Sequence, residues 1–177
     1  MVKSLVLLSS WVYHKIMSQL ISFLFKVLPS QPVYAHCDIP CGIYDPYPAQ
    51  IAAHTVIRMT QLITEAKNEN QKELMHAIAR YTHVKEEHAN MVKNEIRVIW
   101  GDYFKPEMVK DHPDVHELVF TIMKTASKAR QEVDIDAAQE LLTKVQHFAE
   151  IFWKTKNRET VRIASPYPTG GELVLPK

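Results

Sequence analysis

Asp134 to Phe152 reads DIDAAQELLTKVQHFAEIF, and within it Ala138, Leu141, Leu142, Val145, Phe148, Ala149 and Phe152 recur every three or four residues. That spacing puts the apolar side chains on one stripe of an α-helix, with Asp134 or Asp136 placed to cap its start. Upstream, Pro113 is tolerated in a first helical turn, and Val115, Leu118, Val119, Ile122, Met123 and Ala126 form a further stripe. Before that, a long helix over 71–103 is ended by Pro106, with Leu74, Ile78, Tyr81, Val84, His88, Val92, Glu95 and Ile99 on one face. Ile51, Met59, Leu62, Ile63 and Ala66 mark a first helix between Pro48 and Asn68. Four amphipathic helices with short connections predict an all-α fold, an antiparallel up-and-down four-helix bundle over residues 48–157. After Asn157 the pattern fails. Residues 158–177, with SPYPTGG at 165–171, are expected to be an extended tail that wraps a neighbour or stays mobile.

The 177 residues, 46% hydrophobic and 23% charged with only 4 glycines, suit one ordinary core. The net charge of +1 conceals an asymmetry, because residues 1–35 carry Lys3, Lys15 and Lys26 and no acid, which leaves 18 basic against 20 acidic residues in the rest. Such a remainder has no basic stripe for nucleic acid. The apolar runs 4–13 and 16–25 fall well short of the roughly 20 residues that cross a bilayer. A basic start, an apolar stretch and Val33-Tyr34-Ala35 instead read as a leader over 1–35, cut after Ala35 by a processing protease. Lys15 and Lys26 interrupt the apolar centre, so a cytoplasmic protein is expected, with export to a periplasm or lumen as the alternative.

The cut would expose His36-Cys37-Asp38-Ile39-Pro40-Cys41-Gly42-Ile43-Tyr44-Asp45-Pro46, which holds both cysteines of the chain. The His36 amine, the Cys37 amide nitrogen and thiolate, and the Cys41 thiolate can make the strong-field square plane that Ni(II) favours. Pro40 stiffens the return to the metal, and the His36 imidazole is left for an axial position. Anionic sulfur and nitrogen donors stabilise Ni(III), and Tyr44 stands where it can position a small anion. Zinc fits the C-x₃-C spacing but lacks a second ligand pair, and an even cysteine count permits a disulfide. All three stay open on residue chemistry alone.

The same segment closely resembles the nickel hook of nickel superoxide dismutases. Ile99-Trp100-Gly101-Asp102-Tyr103-Phe104-Lys105-Pro106 and Ile151-Phe152-Trp153-Lys154-Thr155-Lys156 resemble that family too. The resemblance implies a hook over 36–47, one nickel ion per subunit held by His36, Cys37 and Cys41, superoxide as substrate, and a homohexamer. It further implies that Tyr44 is the gate, that Asp38 and Pro40 support the hook, that Tyr103 pairs with Tyr44, and that Lys105 lies by the route of the anion. One departure stands out. Family members can hold the axial imidazole between a Glu and an Arg, and Ala52 and His88 occupy those places here. His88 is therefore a candidate substitute, with Glu87 or His54.

Other constellations are weaker. Glu73-x-x-His76 has di-iron spacing but no second copy, so a solvated face accounts for it. His112 and His116 straddle the start of a helix, where capping or exposure is the simpler account. The competing function class is a non-enzymatic metal-binding or thiol-redox helical protein that uses Cys37 and Cys41. That class needs no leader removal, whereas a nickel hook does.

Overall fold

A computed structural model describes residues 41–177, together with Lys15, Met17 and Gln19. The chain divides into two compact units, residues 1–39 and 40–177, and the second holds the helices and strands of the bundle. Helix α1 (Tyr47–Glu65) starts at Pro46 and Pro48, with the Tyr47 amide donating to Asp45 Oδ1 at 2.8 Å. Helix α2 (Gln71–Val98) is capped by Asn70, whose side chain accepts from the Lys72 amide. It runs on into a π-helical turn (Ile99–Tyr103), closed by the Phe104 amide reaching the Ile99 carbonyl at 3.3 Å. A short α3 (Pro106–Asp111) was not expected, and it moves the start of α4 (Val115–Gln131) two residues beyond Pro113. Asp134 caps α5 (Ile135–Thr155) by accepting from the Ala137 amide.

Helices α1, α2, α4 and α5 close the expected bundle, each packed on its sequence neighbour and α1 also on α5. The α5 stripe is buried along its whole length. For α1 and α2 the buried face differs from the sequence reading. In α1 the core side is Ala49, Ala52, Ala53, Val56, Ile57 and Thr60, while Ile51, Met59, Leu62 and Ile63 are half-buried flanks. Small side chains let a neighbouring helix approach, so the closest contact falls on alanines rather than on the largest apolar groups. In α2 the buried positions are Lys85, Ala89, Val92, Ile96 and, at its end, Ile99, which leaves His88 and Glu95 half-buried beside that stripe.

Lys85 explains the displaced face. It is 1% exposed, and its Nζ donates to the carbonyls of Ala129, at 3.0 Å, and Glu132. A buried cation thus satisfies the C-terminal carbonyls of α4, where the helix dipole also favours positive charge. Burial lowers the Lys85 pKa, and the nearby Glu86 and Glu132 partly offset that. Lys85→Met, which keeps the stem but leaves those carbonyls without their donor, is expected to cost about 1–3 kcal/mol. Lys85→Ala adds a cavity and should lower the denaturant midpoint further.

The segment after α5 is not a loose tail. Asn157 takes φ 54°, the left-handed conformation that ends many helices, and the chain turns back. Strands β1 (Thr160–Ala164) and β2 (Glu172–Pro176) then pair antiparallel, from Thr160 opposite Pro176 to Ala164 opposite Glu172. Gly170 and Gly171, with φ of 63° and 75°, close the loop. Leu173 and Val174 are buried at 2% and 1% exposure, and β2 packs on α1 and α5. Arg162 ties β1 down through Glu150, Gln146 and Glu172.

Candidate metal centre

His36, Cys37, Asp38 and Pro40 lie outside the described residues, which begin in this region at Cys41. Cys41 is exposed, and its Sγ accepts from the Ile43 amide at 3.4 Å. Gly42 makes that contact possible with φ 73°, a conformation that a side-chain-bearing residue adopts only under strain. The Cys41 side chain is an exposed sulfur, a donor type that nickel takes. Among the described residues, no group of three or more His, Cys, Asp or Glu side chains gathers to hold a metal.

Tyr44 is half-buried and packs on the bundle, its ring 5.6 Å from that of Tyr103. Tyr103 comes from the π-helical turn and is held on several sides. Its hydroxyl and the Thr155 hydroxyl are 2.8 Å apart, its ring lies 4.9 Å from Phe152 and 5.5 Å from Phe104, and Lys156 Nζ sits 5.3 Å from its centre. Thr155 in turn donates to the Phe152 carbonyl. The sequence reading named Tyr44 and Tyr103 but not Thr155 or Lys156, which end the last quoted motif and reach Tyr103 only once the end of α5 meets the π-helical turn. Lys105 is exposed at the start of α3.

The residues expected to partner the His36 imidazole lie in α1 and α2. Ala52 is fully buried in α1. His88 bonds its own helix, with Nδ1 2.9 Å from the Val84 carbonyl, and lines a recess with Glu87, Met91 and Glu95. Among the described residues no hydrogen bond joins it to Glu87 or His54. His54 is engaged elsewhere. It is 3% exposed, with Nδ1 2.8 Å from Thr169 Oγ1 and Nε2 3.3 Å from the Glu172 carbonyl. Its polar presence among Ala49, Ala53 and Ile57 was the signal for the docked hairpin. Of the weaker constellations, Glu73 and His76 are exposed, and His116 accepts from Trp100 Nε1 at 2.9 Å.

Burial lowers the His54 pKa, against a smaller rise from the Glu172 carbonyl. Between the folded and unfolded values the unfolded chain binds more protons, so stability increases with pH there. It is complete above the ordinary imidazole range and falls as pH drops through it. The thermal midpoint is therefore expected to fall from pH 7.5 to 5.5, and by less in His54→Gln.

Sequence and structure comparisons agree with the helical bundle. The family model for nickel-containing superoxide dismutase matches residues 31–156. The Superoxide dismutase [Ni] of Streptomyces seoulensis is 37% identical over 128 residues, covering 72% of this chain and 93% of the relative. That of Streptomyces coelicolor matches with the same identity and coverage. A native structure of nickel superoxide dismutase superposes with a TM-score of 0.62 at 36% identity, over 68% of this chain and 99% of the other. A structure described as having nickel ligation of the oxidized state gives 0.63 at 35% identity, over 69% and 99%. The family match ends at Lys156, so both hairpin strands lie beyond it. The family match over residues 31–156, relatives at 37% identity and a shared helical bundle converge on one assignment: the chain belongs to the nickel-containing superoxide dismutase family.

Proposed function

We propose that the chain, cut after Ala35, disproportionates superoxide to dioxygen and hydrogen peroxide at a hook formed by His36, Cys37 and Cys41. Nickel, held there one ion per subunit, supplies the one-electron Ni(III)/Ni(II) couple. The observation that carries the reading is Cys41, an exposed thiol on a glycine turn with an amide N–H directed at its sulfur, in a chain of this family. Asp38 and Pro40 brace the turn. Tyr44, wedged against Tyr103, stands at the entrance and orders the water that hands a proton to the reduced anion, since a donor must lie within hydrogen-bond reach. A Cys thiolate is the other proton-carrying site. Lys105, exposed beside the π-helical turn, and Lys156, over the Tyr103 ring, draw the anion in.

In this reading His88, at its recess beside Glu87 on α2, would serve the His36 imidazole. A cytoplasmic location follows from the lysines that break the leader's apolar centre. The subunits assemble as a homohexamer, in which Ile43, 77% exposed beside Cys41, is the kind of apolar group a neighbour covers. Among the described residues no helix is long and apolar enough to cross a membrane.

The test compares residues 36–177 bearing a native His36 amino terminus with the uncut chain. Only the cut form is expected to dismutate superoxide, because in the precursor the His36 nitrogen is an amide and cannot bind as an amine. Equal activity in the two forms overturns the mechanism.

A further inference from the structure

Tyr47, Gln50 and His54 stand at i, i+3 and i+7 on α1, and so share one face of its first turns. All three bond the C-terminal hairpin. The Tyr47 hydroxyl lies 3.3 Å from that of Tyr167, and His54 reaches Thr169 and Glu172. Gln50, fully buried, donates to the Val174 carbonyl at 2.9 Å and accepts from the Val174 amide at 2.8 Å. Its carboxamide thereby takes the place of a neighbouring strand on the outer edge of β2, and satisfies backbone groups that burial would otherwise leave unpaired. The Tyr167 ring also meets the His54 ring edge-on at 5.3 Å. A Cβ on Gly171 would come within 3.8 Å of the His54 ring, so the loop lies close against the helix.

Tyr47 is three residues from Tyr44, and Asp45 between them accepts from the Tyr47 amide at 2.8 Å. From the other side Tyr44 rests on Tyr103, which Thr155 holds at the end of α5, five residues before β1 begins. We propose that the hairpin, which lies beyond the stretch shared with the family, is a clamp that fixes the first two turns of α1 and so positions the trailing end of the metal hook. Tyr47, Gln50 and His54 are its positioning residues. This role rests on the reading of residues 36–47 as a nickel hook, although the clamp itself acts with or without metal.

The test uses the full chain carrying Tyr167→Phe and Thr169→Val, changes that keep the buried strand side chains and remove two of the links. Amide hydrogen exchange over residues 50–57 is expected to rise about tenfold, while residues 138–152 of α5 stay protected. After leader removal, nickel should pass to a competing chelator several-fold faster than from the unaltered chain. Unchanged exchange over 50–57, or faster exchange with unchanged nickel release, overturns the clamp. An unaltered chain that binds no nickel fails the functional reading instead, and the exchange result still decides whether the hairpin holds α1.

Discussion

Cys41→Ser leaves the bundle folded and removes superoxide dismutation. The side chain is exposed, on a turn outside the core, so the change should move global stability by no more than about 0.5 kcal/mol. Its effect on turnover is of another order. Alteration of groups that merely orient a metal's ligands costs about 10–100-fold in affinity or activity, and loss of a proposed thiolate ligand should exceed that range. A hydroxyl is a harder and far less acidic donor than a thiol, so serine would not supply the soft anionic charge proposed to support the higher nickel oxidation state. Superoxide decay measured by stopped flow, with circular dichroism to verify the helices, separates the two quantities. Retained turnover in a folded Cys41→Ser protein would remove Cys41 from the site.

Phe152→Ala should be the most damaging single change to the fold. The ring is fully buried, packs 5.0 Å from Trp153 and 4.9 Å from Tyr103, and carries Lys156 Nζ 5.0 Å above it. Truncating such a side chain loses both its transfer free energy and the contacts around the cavity left behind, about 3–5 kcal/mol. In a bundle of this size the thermal midpoint should drop by on the order of 10 °C. The chemical denaturation midpoint should fall with little change in slope, which distinguishes lost packing from a changed unfolded state. Tyr103 loses its floor in the same variant, so Tyr44 should also lose its fixed place, and turnover should fall even at temperatures where the helices persist. A Phe152→Ala protein as stable as the parent would mean that the aromatic cluster is incidental.

These two residues illustrate what could be read before folding. Phe152 closes a stripe whose three-and-four spacing has no competing interpretation, and the helix forms where that stripe predicts. The α2 stripe was harder to assign, because positions 84, 88 and 95 compete with 85, 89 and 96, one residue away around the helix. Charge decided against Lys85 in the sequence, yet Lys85 is a core residue because α4 ends beside it with carbonyls to satisfy. In α1, large apolar residues suggested a face that alanines occupy instead. The hairpin was missed for a related reason. Five-residue strands are too short for a clear alternation, and their partners Gln50, His54 and Gln146 are 16 or more residues away.

The sequence by itself determined the local quantities: the four long helices and an acidic cap, Asp134 or Asp136, at the start of the last, with a donor set around Cys41 and a cut before His36 as its expectations. These depend on neighbours within a few residues, where spacing and side-chain chemistry act directly. Only the tertiary structure decided which polar groups are buried and what they hold. A buried Lys, Gln or His is tolerable only if a partner meets it, and the partners are the α4 carbonyls for Lys85, β2 for Gln50, and Thr169 with Glu172 for His54. Those partners come from distant parts of the chain, so their value exists only once the chain has folded back on itself.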